Sequence, residues 1–403
     1  MATAFSFFDS MTATLHFCRR ALVETLKGRA PLMDARPETT PHDLHLAAGA
    51  DWLQRSISAC DGHASSKAYR FVRGWMPPYP ETTGYIIPTL MNLGDETGDP
   101  AFHETALRLG HWLTTIQRAD GGFSGYELGS GKDADVFDTG MILLGFNALQ
   151  QHGPNPEIAQ AAASAAAFLC NAMDGEGAFR RHVSNDMLHT YNVRSAWALV
   201  AHGKLAHDRQ SIEAGLKNVD WTLGQQRDNG YFDNNGFKPG GNANTHGTAY
   251  VLRGLLQVYL LTQRQDILEA VLQSAAAVRD KFEAEGWLAA ELGSDWAFRS
   301  KHICLTGCAQ LAIVFYRLAA LIQDQSFITP AERLIAQVAA TQQTKASPAV
   351  DYGGIAGSYP IYGAYAPLQY PNWATKFMVD ALLVRKQWRE GKHTLTDRDL
   401  LAG

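Results

Sequence analysis

The sequence predicts an all-α fold in which six helical hairpins close into a double ring, an (α/α)6 toroid. Gly-rich turns recur at nearly regular intervals, marked by Gly62, Gly122, Gly177, Gly230, Gly286 and Gly354. An amphipathic helical run precedes each turn, and a run that is apolar on more than one face follows it. Such a repeat suits one helical hairpin with a long loop, and the polar end caps that an open solenoid needs are not evident.

Two kinds of helix alternate along the chain. Amphipathic runs such as "PAFHETALRLGHWLTTIQ" at 100–117 are predicted to form the outer ring. The inner ring is predicted from the apolar runs "ETTGYIIPTLMNLG", "FDTGMILLGFNALQQ", "TYNVRSAWALVAHGK", "NTHGTAYVLRGLLQVYLL", "ICLTGCAQLAIVFYRLAALI" and "NWATKFMVDALLVRKQW". We therefore predict a helical lead-in over residues 1–45, the toroid over 46–388 and a charged tail over 389–403.

Composition narrows the class of protein. The chain has 403 residues, of which 46% are hydrophobic and 19% charged, with a net charge of −5. This is an ordinary globular composition, and it lacks the basic stripe of a nucleic-acid-binding protein. The cysteines have no disulfide-framework spacing, which favours reduced thiols: Cys18, Cys60, Cys170, Cys304 and Cys308. The N-terminal stretch does not have the pattern of a secretory signal, and no segment has the pattern of a membrane span. We therefore predict a cytoplasmic location.

Polar residues cluster where the inner helices begin. In a toroid the inner helices run in the same direction, so their N-termini meet at one mouth, which is mildly electropositive. The residues expected to act as catalytic groups there are Glu81, Asp138, His189, Tyr191, His246 and Tyr250. Those expected to bind substrate are Tyr79, Tyr85, Asn192, Arg194, Asn244, His302, Tyr359, Tyr365, Asn372, Trp373 and Lys376. Single members such as Asp138 and Asn244 also suit N-caps, but the whole ring indicates a functional pocket.

Other site patterns are weak. His302, Cys304 and Cys308 lack a second pair of residues with zinc-ligand spacing, so no metal site is predicted. The stretch "GGIAGSYP" has no preceding strand, as a dinucleotide site would require. We expect no cofactor, although the sequence leaves a divalent cation open. The oligomeric state is not predicted.

Several stretches resemble a known superfamily. The turn "QRADGGF" at 117–123 resembles the repeat signature of the terpenoid-cyclase and prenyltransferase-like α/α toroids. The stretches "YPETTGYIIPT", "FDTG", "CLTGCAQLAI" and "YPNWATKF" are similar to bacterial members found with exopolysaccharide biosynthesis genes. The likeness covers roughly residues 50–388 and implies a toroid in a carbohydrate context. Uronate lyases, glucuronyl C5-epimerase-like domains and many glycosidases share this fold.

The leading hypothesis is an enzyme that abstracts the C5 proton of a uronic-acid-containing saccharide, as a lyase or an epimerase. Its substrate carboxylate would be neutralised by Arg194, Asn192, Asn244 and Lys376. The proton would be exchanged by His189, His246, Tyr191 and Tyr250.

Three alternatives stay open. A glycoside hydrolase would use Glu81 and Asp138, which begin adjacent inner helices, as acid and base. A terpenoid-type cyclase would need an acid in the stretch 133–138, where Val136 departs from the acidic motif of such enzymes. A non-catalytic glycan-binding protein would stack its tyrosines and Trp373 on sugars.

Overall fold

The computed structural model describes residues 7–345 and 350–392, with side chains from residue 14 onward. A lead-in of two helices comes first: α1 (Phe7–Lys27) and α2 (Ala30–Met33). The outer ring follows as α3 (His42–Ser58), α5 (Pro100–Ile116), α7 (Pro156–Ala172), α9 (Arg209–Leu223), α11 (Gln265–Glu285) and α13 (Ile328–Ala339). The inner ring is α4 (Pro80–Thr97), α6 (Val136–His152), α8 (Val193–Ala206), α10 (Thr245–Thr262), α12 (Leu305–Ile322) and α14 (Asn372–Arg389).

The helices close into a ring. Each inner helix packs against the next one, and α14 packs back on both α3 and α4. Short strands reinforce the loops that lead to the inner helices: β1 (Ala68–Arg70), β2 (Gly74–Trp75), β3 (Ala243–Asn244), β4 (Glu291–Leu292), β5 (Ile303–Cys304), β6 (Ser358–Tyr359) and β7 (Gln369–Pro371). The antiparallel pair β1–β7, with Ala68 opposite Pro371, joins the first loop to the last. The predicted (α/α)6 toroid is confirmed.

Inner helices are apolar on all sides because neighbours surround them. Glycines on these helices let the backbones approach closely. A Cβ atom on Gly84 of α4 would lie 2.5 Å from the Cα of Ile142, and one on Gly140 would lie 2.2 Å from the Ser195 hydroxyl. No side chain fits such gaps, so these two glycines set the spacing between α4, α6 and α8.

The repeated turn after an outer helix ties each hairpin to the next. Gln117 donates through Nε2 to the carbonyl of Gly121 and to that of Ala161 in α7, both at 2.9 Å. Gln226 repeats the second contact with the carbonyl of Ala270 in α11 at 2.8 Å. The glutamine of the turn therefore satisfies a backbone carbonyl of the neighbouring outer helix, which explains why this residue recurs with the glycines.

The lead-in covers the seam of the ring. Phe17 of α1 is buried and its ring lies 5.4 Å from that of Tyr370 in β7. Arg20 donates to the Tyr370 hydroxyl at 2.8 Å and to Oδ2 of Asp351 at 3.1 Å. The first toroid helix begins at His42 and the last ends at Arg389, while residues 393–403 of the predicted tail lie outside the described residues.

One helix of the described chain, α12, is long and apolar enough to cross a membrane. Its apolar segment is 78% buried inside the protein. This burial is what an inner helix of the ring requires.

Candidate active site

The N-terminal ends of the inner helices surround a cavity of about 300 Å³. Its wall is mainly aromatic, formed by Tyr79, Tyr85, Tyr126, Phe137, Tyr191, Phe237, Tyr250, Tyr365 and Trp373. Three other residues complete the lining: Lys67, Glu81 and His246. Aromatic faces with a few polar groups suit a ligand that has both apolar and hydroxylated surfaces, as a sugar does.

The two acidic residues at the start of α6, Asp135 and Asp138, have different roles. Asp135 is the N-cap, because its Oδ1 accepts from the backbone N–H of Phe137 at 2.7 Å and of Asp138 at 3.2 Å. Asp138, one turn later, therefore has no capping role. Its Oδ1 instead accepts from the Tyr79 hydroxyl at 2.9 Å.

Glu81 is the second buried carboxyl group of the site. It lies in the first turn of α4, is 4% exposed, and its Oε2 accepts from the Thr82 hydroxyl at 3.1 Å. Burial raises the pKa of Glu81 to about 8, against the opposing effects of the Thr82 hydroxyl and the Lys67 charge. Glu81 therefore keeps its proton at a pH where an exposed glutamate is ionised.

The pKa of Asp138 is also raised. Burial and the nearby carboxylates of Asp135 and Glu81 hold the pKa of Asp138 well above its usual range. The ionised Glu81 carboxylate raises the pKa of Asp138, so the titrations of the two groups are linked. A pair of this kind retains a proton near neutral pH, which is what a general acid needs.

His246 lies on the cavity wall, and a hydrogen bond from Gln310 determines which of its ring nitrogens carries the proton. The Nε2 amide of Gln310 donates to Nδ1 of His246 at 2.7 Å, so the ring carries its proton on Nε2. Burial and the charge of Arg194 push the pKa of His246 well below its usual range. A histidine base must become positively charged, and this environment opposes that charge. The neutral ring is thus better suited to donating a hydrogen bond than to accepting a proton.

Two predicted substrate-binding cations lie behind the aromatic wall. The guanidinium carbon of Arg194 is 4.7 Å from the Tyr250 ring centre, and Nζ of Lys376 is 5.5 Å from that of Tyr85. Lys376 also forms an ion pair with Asp380 at 2.6 Å. Neither cation lines the cavity, so the structure does not bring them into contact with a bound substrate.

Other predicted site residues also point away from the cavity. Asn372 faces the outer layer, where its Oδ1 accepts from Nε1 of Trp52 at 2.7 Å. Tyr359 donates to the carbonyl of Gly28 in the lead-in at 2.7 Å. Asn244 is the N-cap of α10, accepting from the backbone N–H of His246 at 2.9 Å. These three side chains have structural partners in place of a ligand.

Three further predicted site residues do not line the cavity. His189 is stacked behind Tyr191, with ring centres 4.5 Å apart, and its Nε2 donates to the carbonyl of Ser184 at 2.9 Å. Asn192 is buried at the start of α8. His302 packs beside Gly363. Of the predicted site, the cavity wall therefore includes Tyr79, Glu81, Tyr85, Tyr191, His246, Tyr250, Tyr365 and Trp373, with Asp138 bonded to Tyr79.

Sequence reasoning missed Lys67, Tyr126, Phe137 and Phe237. Lys67, Tyr126 and Phe237 come from loops, which carry no helical periodicity, and Phe137 has the pattern of a buried apolar position. An available signal was the glycine-rich stretch "GYELGSGKDAD", because such a loop next to a catalytic helix often covers a site. Within the described residues, no group of three His, Cys, Asp or Glu side chains is placed to hold a metal ion.

Comparison with solved structures identifies the fold. An unsaturated glucuronyl hydrolase specific for heparin superimposes with a TM-score of 0.66 and 18% identity, over 89% of this chain and 100% of that one. An unsaturated glucuronyl hydrolase from Bacillus sp. GL1, responsible for the degradation of glycosaminoglycan, gives 0.66 and 16%, over 87% and 97%. A polysaccharide lyase gives 0.62 and 13%, over 88% and 98%.

The chain has the α/α-toroid fold of these enzymes. At this level of identity the likeness establishes architecture alone. No known protein-family profile matches the chain, and no curated protein matches its sequence.

Proposed function

We propose that the chain is a glycan-processing enzyme that hydrolyses a glycosidic bond in a uronic-acid-containing saccharide. The observation that carries the proposal is the presence of two buried carboxyl groups, Glu81 and Asp138, both with raised pKa values, beside an aromatic cavity. Glycoside hydrolysis needs two such groups, one protonated and one ionised. The similar folds of glucuronyl hydrolases support the choice of substrate class.

Asp138 is assigned the role of proton donor. Two neighbouring carboxylates, Asp135 and Glu81, favour a proton on it, and Tyr79 fixes one of its oxygens. Asp138 would protonate the oxygen of the leaving group while the glycosidic bond breaks. Glu81, beside Lys67 and the Thr82 hydroxyl, would take a proton from the attacking water in the molecules in which it is ionised, a fraction that grows as pH approaches its pKa of about 8.

The aromatic wall and His246 would position the sugar. Tyr365 and Trp373 are linked by a hydrogen bond of 2.9 Å from Nε1 of Trp373 to the Tyr365 hydroxyl, which holds both rings in place. The Nε2–H of His246 would donate to a sugar hydroxyl. Rings fixed in this way lose little conformational freedom when a ligand stacks on them.

C5 proton abstraction, by a lyase or an epimerase, is the second candidate. One observation favours it: the rings of His246 and Tyr250 lie 4.1 Å apart on the cavity wall, as an acid–base couple would. A polysaccharide lyase also shares the fold. The protonation state of His246 makes this mechanism weaker than one based on the carboxyl pair.

A role in exopolysaccharide metabolism and a cytoplasmic location complete the proposal. The first rests on the sequence resemblance. The second rests on the cysteines, all five of which are free thiols.

Mass spectrometry of the reaction with acidic oligosaccharides tests the proposal. Products that together weigh one water more than the substrate indicate hydrolysis, while products that sum to the substrate mass indicate elimination. Glu81→Gln and Asp138→Asn should each reduce turnover by about 10²–10⁴, whereas His246→Ala should mainly raise KM. An inactive His246→Ala beside an active Glu81→Gln would overturn the hydrolase assignment in favour of C5 proton abstraction.

A further inference from the structure

We propose that Lys67 is the anchor for the acidic group of the substrate, and that Glu127 holds this position until an anionic saccharide displaces it. The inference rests on the proposed function and adds to it a recognition site for a carboxylate. It makes Lys67 a specificity-determining residue, distinct from the carboxyl pair.

Lys67 is the one lysine or arginine on the described wall of the cavity. Its Nζ lies 5.1 Å from the ring centre of Tyr79 and 5.2 Å from that of Tyr126. The side chain is only 17% exposed. The other buried cations near the site, Arg194 and Lys376, are separated from the cavity by aromatic rings. An anion that enters the cavity therefore meets its strongest attraction at Lys67.

The backbone of Lys67 is held on both sides, so its ammonium group is presented from a rigid position. Its N–H donates to the carbonyl of Pro77 at 3.2 Å, and its carbonyl accepts from the N–H of Asn372 at 3.1 Å. The next residue, Ala68, pairs with Pro371 in the β1–β7 ladder. A binding group supported in this way needs little reorganisation when a ligand arrives.

Glu127 belongs to the loop between α5 and α6, and its Oε1 lies 3.0 Å from Nζ of Lys67. The loop backbone is docked, because Leu128 donates to the carbonyl of Pro78 at 2.8 Å. The Glu127 side chain is 20% exposed and extends from this fixed backbone, so it can turn toward solvent without moving the loop. A partly exposed ion pair contributes about 1 kcal/mol or less, so a substrate carboxylate can replace it.

Anion binding at Lys67 also fits the chemistry of the carboxyl pair. The positive charge of Lys67 opposes the effect of burial on the pKa of Glu81 and of Asp138. The substrate carboxylate would take the place of the Glu127 carboxylate beside Lys67. The charge next to the carboxyl pair would therefore stay balanced, and the pair would keep its proton when an acidic substrate binds.

The test measures binding by isothermal titration calorimetry with two probes that resist hydrolysis. One is a sulfur-linked glucuronyl disaccharide, and the other is the same compound with its carboxyl group reduced to an alcohol. We expect wild type to prefer the acidic probe. Lys67→Gln should lower the affinity for the acidic probe by about tenfold or more, since a charged hydrogen bond contributes ~1.5–3 kcal/mol. It should leave the affinity for the reduced probe unchanged.

Two further variants sharpen the test. Glu127→Gln removes the competing carboxylate and should bind the acidic probe several-fold more tightly. Lys132→Gln is the matched control, because Lys132 lies 5.6 Å from the same Tyr126 ring but does not line the cavity. It should bind both probes as wild type does.

Equal weakening of both probes by Lys67→Gln, or no preference of wild type for the acidic probe, would overturn the inference. If Lys67→Gln does not fold, unchanged affinity of Glu127→Gln for the acidic probe would overturn it as well. The outcome is separable from the proposed function. Charge-selective binding without hydrolysis would overturn the proposed hydrolase activity but support Lys67 as the carboxylate anchor. Hydrolysis without charge selectivity would support the hydrolase activity and overturn the role of Lys67.

Discussion

The Tyr79 hydroxyl donates to Oδ1 of Asp138 at 2.9 Å and so joins the residue before α4 to the first turn of α6. Because it stabilises the ionised form, this hydrogen bond limits how far burial raises the pKa of Asp138. It also fixes the orientation of the carboxyl group that we assign as proton donor.

Tyr79→Phe tests this contact. Loss of the donor should raise the pKa of Asp138 further, so the alkaline limb of the kcat/KM profile should move to higher pH by about 1 unit or more, as expected for a charged hydrogen bond. The rate at the optimum should fall about tenfold through loss of orientation. The pH–rate profile decides, with Tyr126→Phe as the aromatic control. A profile that stays in place would mean that Asp138 is not the titrating group.

Two substitutions of Asp135 separate its capping role from its charge. Asp135→Asn keeps a good N-cap but removes a carboxylate beside Asp138, so the pKa of Asp138 should fall and the alkaline limb should move to lower pH. Asp135→Ala removes both and should also lower the free energy of unfolding by about 1–2 kcal/mol. Thermal unfolding and pH–rate profiles of both variants provide the measurements. Equal destabilisation by the two changes would contradict the capping assignment.

Glu81→Gln should stabilise the protein at alkaline pH. Burial raises the pKa of Glu81 to about 8, so the native state keeps a proton that an unfolded glutamate releases near pH 4.3. The stability from this group is complete below the unfolded pKa and is lost as pH rises through 8. At pH 8.5 the free energy of unfolding of the variant should exceed that of wild type by up to about 5 kcal/mol, since each unit of pKa shift corresponds to ~1.4 kcal/mol, and at pH 4.5 the difference should nearly vanish.

Scanning calorimetry at these two pH values checks the Glu81 prediction. The control is Glu176→Gln, since the Glu176 side chain is 80% exposed and should give no pH-dependent gain. A Glu81→Gln variant that is less stable than wild type at pH 8.5 would show that the native state holds Glu81 ionised.

Asn372 should prove structural. Asn372→Ala leaves Nε1 of Trp52 without its acceptor inside the protein. An unsatisfied buried donor costs about 1–3 kcal/mol, so the melting temperature should fall by several degrees. Activity per folded molecule and KM should stay within a factor of about two of wild type, because surface and structural changes away from the substrate do not alter its binding. A large rise in KM would restore Asn372 to the binding site.

How much of the site could be predicted depends on the residue. The role of Glu81 in the site was predictable because its helix start carries more polar residues than the single one that capping requires, which indicates that some of them serve another purpose. Asn372 at the start of α14 and Tyr359 in the preceding loop were equally plausible candidates, yet each has a hydrogen-bond partner within the protein. The polar character of a residue in sequence does not reveal which neighbour it faces, since that depends on the rotation of its helix.

The six hairpins and the alternation of outer and inner helices follow from the amino-acid sequence alone. Apolar periodicity and recurrent glycine turns are local properties, and a closed ring buries helices that are apolar all round without the polar end caps that an open solenoid needs. The meeting of the inner-helix starts at one mouth follows too, because inner helices in a toroid share a direction.

Which side chains share the cavity, and in what state of charge, depends on the tertiary structure. Asp135 and Asp138 are nearly identical in sequence context, but cap geometry assigns one to the helix and the other to the site. Lys67 reaches the cavity from a loop whose position depends on pairing with the far end of the chain. The raised pKa values of Glu81 and Asp138 arise from burial, and burial is a property of the assembled ring rather than of any segment.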